Sequence, residues 1–155
     1  MSINEEVEAL RRVPFFAAVD PAKIKLLAFA SEQQSFAAGA TIFREGDPGD
    51  AAYLLLEGEA AVMAAAPDGL HKVASIPRNA FLGEIAILCN IPRTATVVAA
   101  EPIRALKIGK DAFLQLMRDV PQIAFELMRE LAVRLDETTD RLREAQARLK
   151  KAGMA

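Results

Sequence analysis

The fold is decided by residues 81–97, which read FLGEIAILCNIPRTATV. The segment begins with a glycine and an acid, Gly83 and Glu84, passes through an apolar turn and reaches Arg93 before a β-branched run. Charged side chains within apolar sequence are seldom buried unless something pairs with them. Two interpretations follow: Glu84 and Arg93 form an ordinary ion pair, or one ligand contacts both.

The residue types in this segment suit an anion that also carries hydroxyl groups. Gly83 lets the backbone approach a ligand closely, and the turn that begins at Glu84 presents free N–H groups to an anion. Arg93 offers a planar fork that matches two phosphate oxygens, with the hydroxyl of Thr94 beside it. Glu84 would repel a phosphate but accept a hydrogen bond from a sugar hydroxyl. The pattern therefore predicts binding of a ribose phosphate, with no group placed to cut it.

Length and composition describe an ordinary globular chain. The 155 residues fit one domain of usual size, and 52% of them are apolar while 26% are charged. The net charge of −2 argues against a broad surface for nucleic acid. The single cysteine, Cys89, excludes an internal disulfide and a Cys-rich metal centre, and we expect it to be a small core residue. No nucleophile–base arrangement or metal cluster is visible, so neither an enzyme nor a metal site is predicted.

The sequence carries no sign of export or of membrane insertion. Its N-terminus lacks the basic and then apolar pattern of a signal peptide. No apolar run approaches the roughly 20 residues that span a bilayer. We therefore expect a cytoplasmic protein without a membrane partner.

The first two thirds of the chain read as short helices followed by short strands. Residues 4–12 predict an amphipathic helix, and a second helix begins with Asp20 as N-cap and Pro21 in its first position. The apolar face of that second helix is Ile24, Leu27, Ala28 and Phe29. Between residues 33 and 109, β-type runs separated by Gly, Pro and Asp occur at 41–43, 52–56, 60–64, 73–76, 94–99 and 103–108. Many short strands with regular turn signals are typical of an antiparallel sandwich or jelly roll.

Helical periodicity returns after residue 109. Asp111 is expected to cap a helix that ends near Asp119, and a further helix runs from Val120 to about Lys151. At ~1.5 Å per residue, this last helix is roughly 45 Å long. We therefore predict two units, a domain of residues 4–119 and a helical extension of residues 120–151.

The last helix carries a seam of residues spaced alternately by four and by three. Its members are Ala124, Met128, Leu131, Leu135, Thr138, Leu142, Ala145 and Leu149. Such a helix either lies on its own domain or pairs with a second copy as a coiled coil. We favour a parallel homodimer, because the seam continues past any plausible edge of the domain.

Residues 83–88 and 92–97 closely resemble the phosphate-binding cassette of cyclic-nucleotide-binding domains. The runs VPFF at 13–16, EGD at 45–47 and YLLLEGE at 53–59, together with Gly39, also look like that family. The resemblance implies an α+β fold in which an antiparallel β-roll (jelly roll) holds the nucleotide, flanked by N-terminal helices and a long C-terminal dimerisation helix. One departure is Leu82, which stands between Phe81 and Gly83 where many members have phenylalanine directly before the glycine.

The same resemblance implies a role for each cassette residue. It assigns Glu84 to the ribose 2′-hydroxyl and Arg93 to the cyclic phosphate. The assisting residues are Thr94 and the backbone around Gly83, Ile85, Ala86 and Ala95.

The C-terminal helix narrows the resemblance. Residues 127–131 (LMREL) and 134–139 (RLDETT) are similar to the dimer helix of the bacterial cAMP receptor protein family. In that family two adjacent hydroxyl residues contact the adenine, one from each subunit, and Thr138 and Thr139 match them. The alternative is that Thr138 is only a tolerated polar residue of the seam. That family continues with a helix-turn-helix domain, which this sequence lacks, so we expect no direct DNA binding unless the chain is a fragment.

The sequence therefore predicts a cyclic-nucleotide sensor with cAMP as its ligand. Binding is expected to change the conformation of the helix and of the dimer and so to regulate a partner protein that the sequence does not identify. One alternative ligand is cGMP, because a hydroxyl residue directly after the cassette arginine, here Thr94, often accompanies cGMP binding in that family. The sequence is also compatible with a regulatory fragment of a Crp/Fnr-type transcription regulator and with a ligand-independent interaction module.

Overall fold

Short strands form two four-stranded sheets in the computed structural model, which describes residues 2–17 and 19–153. In chain order the strands are β1 (Ser31–Phe36), β2 (Thr41–Phe43), β3 (Ala51–Glu57), β4 (Ala60–Ala66), β5 (Gly69–Ile76), β6 (Phe81–Leu82), β7 (Thr96–Ala99) and β8 (Ile103–Gly109). The helices are α1 (Ile3–Arg11), α2 (Pro21–Ala30), α3 (Glu84–Cys89), α4 (Lys110–Asp119) and α5 (Pro121–Lys151), with a 3₁₀ turn at Pro14–Phe16.

All of the strand pairs are antiparallel. One sheet has the order β1-β8-β3-β6 and the other the order β2-β7-β4-β5. Each sheet thus combines strands that are distant in sequence, as expected of a roll rather than of a simple meander. The predicted β-roll with helices on both sides of it in the sequence is confirmed.

Strand β3 is buried on both faces and joins two hydrophobic cores. Ala51, Tyr53 and Leu55 point into the space between the two sheets. The alternate residues Leu54 and Leu56 pack against the helices. Because successive side chains of a strand point to opposite faces, one apolar run supplies both cores.

An aromatic cluster fixes the start of the segment at residues 81–97. The ring of Phe81 makes edge contacts with Phe15, Phe16 and Phe113, at centroid distances of 5.3, 6.4 and 5.8 Å. Phe81 is therefore fully enclosed by the helical core. As a result, Phe81 faces away from the space between the sheets, and its neighbour Leu82 faces into it.

The long helix α5 contacts the domain through its N-terminal half, up to Arg134. Ile123 and Leu127 are buried in the helical core, and Leu131 packs against that core. Beyond it the seam is open to solvent, with Leu135 67% and Leu142 57% exposed. The helix itself is confirmed, whereas the division into residues 4–119 and 120–151 stays a prediction. No helix in residues 2–17 and 19–153 has the length and apolar character needed to cross a membrane.

Several details of the sequence-based expectations are wrong. Asp111 does not cap α4, because the helix begins one residue earlier at Lys110, after Gly109. Phe29 is 66% exposed although its helix buries the other predicted apolar residues. Cys89 is exposed rather than in the core, because it ends α3 on the solvent side.

The strand boundaries also differ in places. Strand β5 begins at Gly69, four residues before the predicted run at 73–76, because pairing with β4 continues to the turn. Strand β7 begins at Thr96 rather than at residue 94. Strands β1 and β6 were not predicted, since SEQQSF is too polar and Phe81–Leu82 too short for an alternating pattern.

Candidate ligand-binding site

A cavity of about 120 Å³ lies between the second sheet, α3 and the middle of α5. All of the predicted cassette residues line it, namely Gly83, Glu84, Ile85, Ala86, Arg93, Thr94 and Ala95. The opposite wall is apolar and consists of Val62, Ile76, Leu82 and Val97. A concave site that is mostly apolar with a few convergent polar groups is typical of a site for a small molecule.

Leu82 takes the position in the cavity wall at which the family resemblance suggests an aromatic ring. Phe81, one residue earlier, is turned into the helical core. The departure noted in the sequence is thus real, and the wall beside Gly83 is aliphatic.

Thr138 and Thr139 do not line the cavity of this chain. They lie on α5 one turn beyond Arg134, and Thr138 is exposed while Thr139 is half-buried. Their predicted contact with the base, one of them from each subunit of a dimer, stays a prediction.

Gly83 is required by both its backbone and its surroundings. Its φ of +82° lies in the left-handed region that side chains disfavour. A Cβ added there would lie 2.6 Å from Nη1 of Arg93 and 3.2 Å from the carbonyl oxygen of Ala51. The absence of a side chain therefore makes room for the guanidinium.

Arg93 is buried, and the backbone holds its guanidinium. Nη1 donates to the carbonyl oxygen of Gly83 at 2.9 Å, and Nη2 donates to that of Ala51 at 2.6 Å. A carboxylate oxygen of Asp50 lies 3.7 Å from Nη2. Burial lowers the pKa of Arg93 from its usual value, and nearby negative charge opposes that shift. The guanidinium is nevertheless a permanent cation in proteins.

One nitrogen atom of Arg93 has no acceptor among the described residues. Its Nε is buried, and within the described part of the chain it has no hydrogen-bond partner. A buried donor without an acceptor costs about 1–3 kcal/mol. Since Arg93 lines the cavity, an anion entering there is the natural acceptor.

Glu84 is 2% exposed and is paired with a residue that was not predicted from the sequence. Nη1 of Arg134, on α5, donates to Oε1 of Glu84 at 3.3 Å. Nη2 of Arg134 contacts the carbonyl oxygen of Phe81 at 3.4 Å and also pairs with Glu130. Burial raises the pKa of the Glu84 carboxyl above its usual value, and a backbone hydrogen bond and the charge of Arg134 oppose the rise.

The interpretation of Glu84 and Arg93 as a mutual ion pair is therefore wrong. Among the described residues, Glu84 pairs with Arg134, and Arg93 is held by carbonyl groups. The two charged groups line the same cavity without closing on each other.

Besides the apolar wall, two lining residues that contact the charged groups of the site were missed, Phe43 and Arg134. Phe43 ends the short strand β2, and its ring lies 4.1 Å from the guanidinium carbon of Arg93. A signal for Arg134 did exist, because it opens the RLDETT run on α5. Which carboxylate it meets depends on how α5 packs, and that cannot be seen from spacing.

The arrangement suits a ligand with an anionic end and a hydroxyl-bearing end. It holds an unpartnered N–H of Arg93, a buried carboxylate of Glu84 and an apolar wall. In residues 2–17 and 19–153, no group of three side chains is placed to hold a metal ion. The fold and the site together define a small-molecule-binding β-roll.

Comparison with known proteins identifies the family of this chain. A family model for the cyclic nucleotide-binding domain matches residues 33–120, and the chain belongs to that family. The resemblance stated from the cassette is thereby confirmed. The family model describes a binding domain, which agrees with the prediction that this chain is not an enzyme.

Relatives in the family have different names and lengths. The CRP-like cAMP-activated global transcriptional regulator of Mycobacterium tuberculosis is 34% identical over 137 residues, which are 87% of this chain and 61% of that protein. The cAMP-dependent protein kinase regulatory subunit of Colletotrichum orbiculare is 40% identical over 114 residues, 74% of this chain and 29% of that protein. The solved structure of a cAMP-binding acyltransferase from Mycobacterium smegmatis superposes with a TM-score of 0.75 at 30% identity, covering 87% of this chain and 42% of that one. The chain thus spans less than two thirds of each of these proteins.

Proposed function

We propose that the protein is a cAMP sensor, in which Glu84 accepts a hydrogen bond from the ribose 2′-hydroxyl and Arg93 binds the cyclic phosphate. The observation that carries the proposal is the buried, unpartnered Nε of Arg93 in the same cavity as the buried carboxylate of Glu84. A phosphate would supply the missing acceptor, and a sugar hydroxyl would supply a donor to the carboxylate. Thr94 and the backbone at Gly83, Ile85, Ala86 and Ala95 assist.

The choice of cAMP over cGMP is supported by the names of relatives. The regulator from Mycobacterium tuberculosis and the kinase regulatory subunit are both described as responding to cAMP. The hydroxyl of Thr94, which lines the cavity, is the feature that would favour cGMP. A ligand-independent module is disfavoured, because a vestigial cavity has no reason to keep two buried charges.

The proposed mechanism is a shift between two positions of α5. Arg134 connects that helix to Glu84, so a ribose that hydrogen-bonds Glu84 changes the environment of the helix contact. A ligand shifts such an equilibrium only through its different affinity for the two states. We propose that cAMP favours the state in which α5 is re-docked over the base, with the segment at Val120 and Pro121 acting as the hinge.

We further propose that α5 pairs with α5 of a second copy. Support comes from its exposed apolar seam, in which Met128, Leu135, Leu142 and Leu149 each lie open to solvent. In such a dimer Thr138 and Thr139 would contact the adenine, one from each copy. The output would be a regulated partner protein in the cytoplasm, or a further domain if the chain is part of a longer regulator.

Calorimetry on nucleotide-stripped protein tests the proposal. We expect cAMP to bind with one site per chain and cGMP to bind more weakly. Tighter binding of cGMP would correct the choice of base, and the lack of binding by either nucleotide would contradict the function. The Thr138→Ala/Thr139→Ala double variant should weaken cAMP binding, whereas Thr41→Ala, outside the cavity lining, should not.

A further inference from the structure

We propose that Phe43 is a positioning residue, which holds the guanidinium of Arg93 in place before a phosphate arrives. The inference rests on the proposed function, and it assigns a role to a residue of β2 that lies outside the cassette. The guanidinium carbon of Arg93 lies 4.1 Å from the centre of the Phe43 ring. A cation within about 6 Å of a ring centre is attracted by the negative face of the ring.

The ring is one of three supports around the guanidinium of Arg93. Phe43 covers a face of the guanidinium, and the carbonyl oxygens of Gly83 and Ala51 accept from its two Nη atoms. Each Nη atom thus has one carbonyl acceptor, whereas the buried Nε has none in the described chain. The ring and the two carbonyl groups thus restrict the orientation of the guanidinium at the cavity wall.

The backbone ties Phe43 to Arg93 in the same way. Phe43 pairs with Val97 across β2 and β7, four residues beyond Arg93. The loop after β2 then meets Arg93 itself: the N–H of Gly46 donates to the carbonyl oxygen of Arg93 at 2.9 Å, and the N–H of Arg93 donates to that of Asp47 at 2.8 Å. The backbone segments that carry Phe43 and Arg93 are therefore held together at two places, through the strand pair β2–β7 and through the loop after β2.

A held guanidinium has a consequence for affinity. A long arginine side chain that is free in the unbound protein loses conformational freedom on binding, which weakens the complex. If Phe43 already restricts that freedom, its ring contributes to phosphate binding without touching the phosphate. Phe43 is half-buried and packs against Tyr53 at a centroid distance of 6.3 Å, so it also has an ordinary packing role that must be separated from this one.

The chain offers a matched control for that packing role. Phe36 is likewise half-buried, packs against the same ring of Tyr53 at 6.2 Å and borders the same core. It does not line the cavity. Phe36→Leu therefore removes an equivalent ring from the same core without a neighbouring guanidinium.

Calorimetry with cAMP and with adenosine, which lacks the phosphate, tests the proposal. We expect Phe43→Leu to weaken cAMP binding about tenfold, which corresponds to ~1.4 kcal/mol, and to leave adenosine binding unchanged. Phe43→Tyr, which keeps the ring, and Phe36→Leu should both stay within about threefold of the wild type. Unchanged cAMP binding by Phe43→Leu, or an equal loss for adenosine or for Phe36→Leu, would overturn the proposal.

A second readout separates this proposal from the proposed function. If wild-type protein binds no cyclic nucleotide, the function fails, but the contact between ring and cation can still be measured by urea unfolding. The cycle compares Phe43→Leu, Arg93→Gln and the double variant. Changes in the free energy of unfolding that are not additive support the positioning role, and additive changes contradict it. Phe43→Met replaces Phe43→Leu in both experiments if the leucine variant does not fold.

Discussion

The carboxylate of Glu84 and the guanidinium of Arg134 meet at 3.3 Å, 50 residues apart in sequence. Glu84 begins α3 inside the cavity, and Arg134 is the point at which the long helix reaches it. The contact therefore links the predicted ribose-binding group directly to α5, the element proposed to move. Its energetics can be tested without any ligand.

Arg134→Gln should lower the free energy of unfolding at pH 7 by about 1–3 kcal/mol, because a buried carboxylate is left without its partner. The cation favours the ionised carboxyl, so its contribution is present above the pKa of Glu84 and is lost as the pH falls through that pKa. The difference in free energy of unfolding between the variant and the wild type should therefore shrink toward pH 4. Urea unfolding at several pH values measures it.

Arg129→Gln is the control for that experiment. Arg129 lies on the same helix and pairs with Glu126 at 3.4 Å, but both side chains are largely exposed. Exposed pairs contribute roughly 0–1 kcal/mol to stability, because water screens both charges. If the two variants lost the same stability with the same pH dependence, the Glu84–Arg134 contact would have no special role.

Glu84→Gln should stabilise the ligand-free protein while impairing binding. The pKa of Glu84 is raised in the folded state. The carboxyl group therefore contributes its full stabilisation at pH values below its ordinary pKa near 4.5, and this stabilisation is lost as the pH rises through the folded-state pKa. The variant should lack this decline and therefore be more stable than the wild type at pH 7, since Arg134 keeps Glu130 as a partner. Its cAMP affinity should fall more than tenfold. A variant that is less stable and binds normally would contradict the assignment of Glu84.

Gly83→Ala should affect both stability and binding. Any side chain at a φ of +82° is strained by about 1–2 kcal/mol, and this one would also displace Nη1 of Arg93. Gly39 is the matched control, because its φ is +85° and nothing lies within 4 Å of an added Cβ. Gly83→Ala should lose at least as much stability as Gly39→Ala by thermal unfolding, but only Gly83→Ala should weaken cAMP binding. Equal binding by the two would show that the space beside Arg93 does not matter.

Much of the fold followed from local patterns. Turn residues around short apolar runs predicted an antiparallel sandwich or jelly roll, and the family resemblance implied the β-roll. Asp20 caps α2 as expected, with its side chain accepting from the N–H of Ala22 at 2.9 Å. The errors occurred where tertiary contacts override local preference. Asp111 has capping chemistry but lies inside the first turn of α4, and Phe29 has apolar chemistry but is left on the outer face of α2.

The candidate site was predicted only in part, for a similar reason. Glu84 and Arg93 could be recognised because two charges in an apolar run need a partner if they are buried, and because the run resembles the cassette. Both are buried. Their actual partners could not, because Arg134 comes from a distant helix and Phe43 from a short strand. Those contacts depend on how α5 and β2 pack, which a one-dimensional pattern does not contain.

Leu142→Asp should dissociate the proposed homodimer. Leu142 lies in the exposed part of the α5 seam, well beyond the last contact with the domain, so a charge there should not affect folding of the chain. Ala147→Asp adds the same charge on the opposite side of the helix and serves as the control. Light scattering should give a dimer for the wild type and the control and a monomer for Leu142→Asp. A monomeric wild type at all concentrations would contradict the dimer.

The account depends most directly on Arg93 as the phosphate-binding group, and calorimetry of stripped wild-type and Arg93→Lys protein with cAMP tests it. Charge-assisted hydrogen bonds contribute about 1.5–3 kcal/mol each, and a lysine ammonium does not reproduce the planar fork. Arg104→Lys, at a half-buried arginine paired with Glu57 at 2.8 Å outside the cavity lining, is the control. The account predicts that Arg93→Lys folds normally and binds cAMP at least tenfold more weakly than the wild type and the control. Equal affinity of all three proteins for cAMP would contradict it.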